Sequence, residues 1–110
     1  MDILDATEAF SALSQRPRLE AYRLLVKAGE VGMPAGAISD ALEMRQNTMS
    51  ANLAVLLQAG LVRREREGRS IRYFADFDAM QGLLGFLLEE CCGGQPELCQ
   101  PVIKEIACAC

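Results

Sequence analysis

Apolar residues recur at helical spacing over most of the chain and divide it into short elements. The pattern in residues 3–13 predicts a first helix with acidic residues on its other side. A second helix runs from Pro17, whose missing N–H needs no partner in a first turn, to Gly29, a residue typical of helix ends. Residues 32–34 start a third, short helix.

A fourth helix is predicted from about Gln46 to Ala59, with Met49, Leu53, Leu56 and Leu57 on its inner face. Its opening turns are unusually polar, whereas a solvated helix surface would more often carry Glu and Lys. Asn, Gln, Ser, Thr and Arg are the side chains that contact base edges and phosphates. The candidate DNA-contacting residues of this helix are Arg45, Gln46, Asn47, Thr48, Ser50 and Asn52.

Two extended runs, residues 61–67 and 70–75, flank a two-residue turn and predict a β-hairpin. A polar helix followed by a basic hairpin is the plan of a winged helix-turn-helix, in which the third and fourth helices form the helix-turn-helix and the hairpin forms the wing. The predicted fold is mainly α with a small β-hairpin (α+β), in the order four helices, two strands, a fifth helix and a short C-terminal segment. The candidate DNA-contacting residues of the wing are Arg64, Arg66, Arg69 and Arg72.

The fifth helix is predicted to begin at a capping box formed by Asp78 and Gln81 and to run to about Glu90. Phe86 widens its apolar face beyond what one small core requires, and the first helix has a similar surplus. A broad apolar face of this kind indicates a homodimer that forms through the first and fifth helices. The short C-terminal segment begins at Pro101.

Length and charge refine this picture. A chain of 110 residues is expected to form one domain, 1–110, of which residues 91–110 are a cysteine-containing extension. The net charge is −4, yet residues 45–74 hold six Arg and two Glu, a local charge of +4. An acidic body with a basic middle indicates one surface that meets double-stranded operator DNA.

The start of the chain is acidic, which argues against a signal peptide, and no apolar run approaches the ~20 residues of a membrane span. We therefore expect a cytoplasmic protein without a membrane partner. Its compartment is reducing, so five cysteines indicate metal, metalloid or redox ligands rather than disulfide staples. The absence of histidine and of any acid–base constellation argues against an enzyme.

Three blocks of the chain resemble the ArsR/SmtB family of metal- and metalloid-responsive winged-helix repressors. Residues 17–25 (PRLEAYRLL) resemble the opening of the family's second helix, residues 47–62 (NTMSANLAVLLQAGLV) its recognition helix, and residues 66–73 (REGRSIRY) its wing. The family's cysteine motif on the third helix and its histidine-containing zinc site have no counterpart here. The cysteines at 91, 92 and 99 resemble instead the C-terminal cluster of arsenite-sensing members.

Three thiolates suit trivalent arsenic or antimony, which form three pyramidal bonds, whereas structural zinc normally takes four protein ligands. The expected inducer is therefore arsenite or antimonite, held by Cys91, Cys92 and Cys99. Neighbouring side chains of a helix point about 100° apart. The two adjacent thiols can converge only if the helix ends there, which Gly93 and Gly94 allow.

Two other functions fit the same residues. The thiols could be oxidised or persulfidated, which would make the protein a redox-sensing repressor of the same fold. The chain could also be a metalloid carrier without a role on DNA, although the basic helix–hairpin block argues against that. Cys108 and Cys110 are left outside the predicted site.

Overall fold

The computed structural model describes residues 1–89, 93 and 96–108, and the side chains of residues 96, 99, 107 and 108 lie outside that description. Within this part of the chain, six helices and three strands follow one another. They are α1 (Ile3–Leu13), α2 (Arg16–Ala28), β1 (Met33–Pro34), α3 (Ala35–Ala41), α4 (Gln46–Gln58), β2 (Val62–Glu67), β3 (Ser70–Ala75), α5 (Phe77–Leu87) and α6 (Pro96–Cys108). The predicted fold class and the order of its core elements are confirmed. None of the helices described is long and apolar enough to cross a membrane.

Helix α1 packs through alanines rather than through its large apolar residues. Ala6, Ala9 and Ala12 are buried, while Ile3 and Phe10 point outward and are exposed. Small side chains let α1 lie close to α2, α4 and α5. The large apolar residues expected on an inner side are consequently left on the surface.

The helix-turn-helix consists of α3, a four-residue turn and α4, and its buried side chains form the centre of the core. Ile38 of α3 and Met49, Leu53 and Leu56 of α4 are fully buried, together with Leu25 of α2. The buried positions of α4 recur every three or four residues, which is the spacing of one helix face. The core therefore fixes the rotation of α4 and leaves its opposite face in solvent.

The sheet has one more strand than the sequence predicts. Residues 33 and 34 do not start the third helix but form β1, which pairs antiparallel with β3 in the order β1-β3-β2. Gly32 precedes β1 with a φ of 64°, and a Cβ there would clash with the carbonyl oxygen of Tyr73. The strand can approach β3 only because residue 32 is glycine.

The predicted hairpin is confirmed. Strands β2 and β3 pair from Val62↔Ala75 to Glu67↔Ser70 around the two-residue turn. Gly68 occupies the first turn position with a φ of 61°, the sign that a type II′ hairpin turn needs there.

The ends of the last two helices differ from the prediction. Asp76, not Asp78, caps α5, because its carboxylate accepts a hydrogen bond from the Ala79 N–H at 3.0 Å. Helix α5 ends at Leu87, three residues before the predicted end. The C-terminal segment is a helix that begins five residues before Pro101 and contains that proline.

Candidate nucleic-acid interface

Helix α4 exposes most of the polar side chains that the sequence marks as DNA-contacting. Its N-terminal turns present five of the six to solvent, because the core holds the opposite face. The exposed residues are Arg45, Gln46, Asn47, Thr48 and Ser50. The structure thus brings these five candidates together on one end of one helix.

The side chain of Asn47 is held by a hydrogen bond within α4. Its Oδ1 accepts a hydrogen bond from the Thr48 N–H at 2.9 Å, and no side chain caps the helix at Arg45. One of the first-turn N–H groups, which have no partner inside a helix, is satisfied in this way. The amide NH₂ of Asn47 has no partner among the described residues and stays available as a donor on the exposed face.

The sixth candidate, Asn52, turns inward. It is half-buried, its Oδ1 lies 3.5 Å from Nη1 of Arg18, and its Nδ2 lies 3.7 Å from the sulfur of Met44. The structure therefore places Asn52 between α4 and its neighbours rather than on the exposed face with the other five.

Arg18 was not among the candidates, yet it joins three helices. Its Nε donates to the carbonyl oxygen of Ala12 at 2.6 Å, and its Nη2 donates to that of Ser11 at 3.4 Å, while Nη1 reaches Asn52. Both carbonyls belong to the last turn of α1, whose oxygens attract a cation. The Ser11 oxygen also accepts hydrogen bonds from the N–H and the hydroxyl of Ser14. The one signal in the sequence was a basic residue six positions beyond Ala12, which many surface arginines share.

The wing has two faces, and the register shows which residues share each. Paired residues of an antiparallel ladder project to the same side, and successive residues alternate between sides. Arg64 is paired with Tyr73, and Arg66 with Ile71, so these four share the first face. The second face carries Arg63, Glu65, Glu67, Ser70, Arg72 and Phe74.

The arginines of the second face are bound within the protein. Arg63 lies 3.0 Å from a carboxylate oxygen of Glu65, and its guanidinium lies 4.3 Å from the centre of the Phe74 ring. Arg72 lies 2.8 Å from Glu67 and donates to the carbonyl oxygen of Val31 at 3.1 Å. This face has two positive and two negative charges, so its net charge is zero.

The predicted wing residues consequently divide in two. Arg72 is only 26% exposed and ties the wing to the segment before β1, in line with its contact to Val31. Arg64, Arg66 and Arg69 are exposed, and none of them has an ion-pair partner in the part of the chain that the structure describes.

A cleft of about 280 Å³ separates α4 from the wing. The residues that line it include Gly36 of α3, Ser50 of α4, Arg69 of the hairpin turn and Ser70, Ile71 and Tyr73 of β3. Since Ile71 and Tyr73 share the first face with Arg64 and Arg66, that face of the wing is directed toward α4.

The predicted thiol site falls largely outside the described residues. Cys91 and Cys92 lie outside them altogether, and Cys99 is described only as a backbone position in the first turn of α6. Among the side chains that the structure describes, none of which is a cysteine, no group of three or more Asp or Glu residues is arranged to hold a metal ion.

Leu19 and Val26 of α2 and Val55 of α4 are exposed, but most of the exposed large apolar side chains of the described helices lie on α1, α5 and α6. Leu4 of α1 is 76% exposed and Leu87 of α5 is 52% exposed. The exposed large apolar residues on or directly beside these helices are Ile3, Leu4, Phe10, Phe77, Leu84, Leu87, Leu88, Leu98, Val102, Ile103 and Ile106. Helices α1 and α5 also pack against each other, so their exposed residues belong to adjoining elements.

Comparison with known proteins agrees with this arrangement. The family described as Helix-turn-helix domain matches residues 1–65. The uncharacterised HTH-type transcriptional regulator YbzH of Bacillus subtilis is 32% identical over 99 residues, which cover 79% of this chain and 99% of that protein.

Two solved structures extend the likeness to the whole fold. The ArsR-like transcriptional regulator from Rhodococcus sp. RHA1 has a TM-score of 0.67 at 27% identity and covers 94% of this chain and 93% of its own. The homodimeric winged helix-turn-helix DNA-binding domain Mb0332 from Mycobacterium bovis, described as a possible ArsR-family transcriptional regulator, has a TM-score of 0.64 at 29% identity. That match covers 78% of this chain and 80% of the other.

Proposed function

This chain belongs to the helix-turn-helix domain family and is a transcriptional regulator. From that premise we propose that it is a homodimeric repressor of the ArsR type, whose inducer is trivalent arsenic or antimony. The inducer would bind the thiolates of Cys91, Cys92 and Cys99, and the repressor would then leave its operator. The observation that carries the DNA-binding half of the proposal is the exposed polar end of α4 beside the unpaired arginines of the wing.

The polar end of α4 suits the major groove of DNA. Gln and Asn side chains can make paired hydrogen bonds to adenine, and Arg can do so to guanine, while Ser and Thr donate to either. Gln46 and Asn47 are exposed in the first turn, and Arg45 immediately precedes it. We propose these residues together with Thr48 and Ser50 as the base- and phosphate-contacting set, and we assign Asn52 to holding α4 in place.

A homodimer supplies the second copy of α4 that a palindromic operator requires. The half-sites of such an operator lie about 34–36 Å apart, or a multiple of that distance. We propose that α1 and α5 form the interface, because Leu4, Leu84 and Leu87 leave apolar surface uncovered on adjoining helices. Surface of this kind is typically buried between subunits.

The donor set suits a soft, three-coordinate ligand. Thiolates prefer soft ions, and three of them match the three bonds of arsenic(III) or antimony(III). Cys99 lies in the first turn of α6, and Cys91 follows the end of α5 by four residues. A ligand shared by these thiols would join the end of α5 to the start of α6.

That connection offers a route from inducer to operator. A ligand shifts the equilibrium between two conformations only by the difference in its affinity for them. Because α5 is half of the proposed interface, a change at its end would alter the spacing of the two α4 helices. A typical coupling free energy corresponds to roughly a 5- to 150-fold change in affinity.

Operator binding with and without arsenite tests the proposal. A duplex selected by the wild-type protein from a randomised pool serves as the operator, and antimonite, hydrogen peroxide and polysulfide are assayed in parallel. We expect arsenite or antimonite to weaken binding of the wild type by about 10-fold or more. We expect Cys99→Ser to abolish that response, and Cys108→Ser, which makes the same substitution elsewhere on α6, to keep it.

The other outcomes point to different functions. Arsenite release that persists in Cys99→Ser would overturn the three-thiol site. Release by peroxide or polysulfide but not by arsenite would establish the redox-sensing alternative, in which thiols of this cluster form a disulfide or persulfide. Arsenite binding without any binding to DNA at low salt would establish a metalloid carrier.

A further inference from the structure

The charged side chains of the wing are not equivalent. Arg64 and Arg66 alternate with Arg63 and Glu65 along β2, so the strand places its charges on opposite sides in turn. Only one of those sides contains acids. This distribution follows from the register of β2 and β3 and does not depend on the identity of the operator.

We propose that the wing contacts the DNA backbone through one face only, with Arg64 and Arg66 as its phosphate-binding residues, while Arg63 and Arg72 hold the wing in shape. The inference rests on the proposed function, because it assumes that the wing meets DNA. It narrows that function to one side of the hairpin and removes Arg72 from the set of DNA-contacting residues.

The charge balance supports this division. Arg63 and Glu65 are 3.0 Å apart, and Arg72 and Glu67 are 2.8 Å apart. A phosphate that approached the second face would compete with a carboxylate already bound to each guanidinium and would be repelled by it. Arg64 and Arg66 have no ion pair with a carboxylate among the described residues. Both are available to replace the counterions of a phosphate.

The position of the wing relative to α4 also supports the first face as the one that contacts DNA. Ile71 and Tyr73 lie opposite Arg66 and Arg64 in the ladder, and they line the cleft that Ser50 of α4 closes from the other side. The first face of the wing is therefore directed toward α4, the helix with the exposed polar end. The second face holds the contact of Arg72 with the carbonyl oxygen of Val31, which fixes the base of the wing to the preceding loop.

The salt dependence of DNA binding tests the proposal. The logarithm of the binding constant falls with the logarithm of the salt concentration, with a slope of about −0.9 for each phosphate neutralised on duplex DNA. We compare the wild type with Arg64→Gln, Arg66→Gln, Arg63→Gln and Arg72→Gln on the selected duplex. All four substitutions remove one positive charge from the same hairpin, so they are matched in charge.

We expect Arg64→Gln and Arg66→Gln each to make the slope less steep by about 0.9 for every phosphate left without its arginine, and by twice that in a homodimer. Arg63→Gln and Arg72→Gln are expected to change it by less than half as much. Arg72→Gln should instead lower the melting temperature, since Glu67 and the carbonyl oxygen of Val31 are then without their charged donor. If that variant does not fold, Arg63→Gln remains as the control.

Equal slope changes in Arg63→Gln and Arg64→Gln would overturn the one-face proposal, and so would an unchanged slope in both Arg64→Gln and Arg66→Gln. Failure of the wild type itself to bind any duplex at low salt would overturn the proposed function and this inference with it. The two failures are distinguishable because only the second affects the wild type.

Discussion

Tyr22 is buried in α2, and its hydroxyl has no hydrogen-bond partner among the described residues. A buried polar group without a partner loses its interactions with water and gains nothing in return, at a cost of about 1–3 kcal/mol. Burial raises the pKa of the Tyr22 hydroxyl above 10.0, and the negative charge of Asp76 raises it further. The aromatic ring, by contrast, is part of the apolar core.

Replacing Tyr22 by Phe keeps the ring and removes the unpaired hydroxyl. We expect Tyr22→Phe to raise the free energy of unfolding by about 1 kcal/mol at pH 7, measured by urea denaturation. A loss of stability would show that the hydroxyl has a partner in the assembled protein.

The same substitution should also change how the free energy of unfolding depends on pH at alkaline pH. Because the folded pKa of Tyr22 lies above the unfolded value of 10.0, the folded protein keeps this proton at a pH where the unfolded chain releases it. The corresponding stability is fully present below pH 10 and is lost as the pH rises through the folded pKa. The wild type should therefore lose stability above pH 10 more steeply than Tyr22→Phe does.

Where the sequence prediction was incomplete, the reason is a contact between a single residue and another part of the chain. Glycine at position 32 has no sequence feature that separates it from an ordinary turn glycine. Its role depends on the carbonyl of Tyr73, which lies 41 positions away along the chain. The inward turn of Asn52 depends likewise on Arg18, and the pairing of Arg72 depends on the position of Glu67 across the hairpin. Contacts of this kind do not appear in local periodicity.

At the scale of elements, the periodicity of apolar residues was sufficient to locate α2, α4 and the hairpin, although Leu19 and Val26, expected on the buried face of α2, are exposed. It was insufficient for α1, where the buried positions are alanines and the large apolar residues face outward. It also missed β1, since two residues are too few to show alternation, and it missed the early start of α6. Pro96 begins α6, and proline in the first turn of a helix is a signal that was available.

Arg18 is the side chain that joins these elements, and its removal should loosen α1 from α2. We expect Arg18→Ala to lower the free energy of unfolding by about 1.5–3 kcal/mol, because two carbonyl oxygens at the end of α1 lose a charged donor. Thermal and urea unfolding measure this. The position of α4 should also relax through Asn52, so DNA affinity should fall in the folded variant.

Arg16→Ala is the matched control for Arg18→Ala. Arg16 makes an equally short contact, 2.6 Å to Glu20, but its side chain is 90% exposed. Exposed ion pairs contribute little to stability, so this variant should unfold close to the wild type. Equal losses in the two variants would contradict the role assigned to Arg18.

At the scale of the whole molecule, the exposed apolar residues of α1 and α5 are the surface that the proposed homodimer would bury. Leu4 and Leu87 expose large apolar side chains on helices that adjoin one another. The similar winged-helix domain Mb0332 is described as homodimeric. In the proposed homodimer, DNA binding would depend on assembly, because a single α4 can contact only one half-site of a palindrome.

Introducing a charge into this surface should separate the subunits. We expect Leu87→Glu to be monomeric at micromolar concentration in analytical ultracentrifugation, because a carboxylate buried in an apolar interface would lack a partner. Its affinity for the selected palindromic duplex should fall far below that of the wild type, while its affinity for a single half-site should not. Val31→Glu is the control, since Val31 is 71% exposed but lies in the loop before β1 and belongs to neither α1 nor α5. It should remain dimeric.

A dimeric Leu87→Glu protein with unchanged operator affinity would show that α5 is not part of the interface. The proposed route from the thiols through α5 to the operator would then be wrong as well.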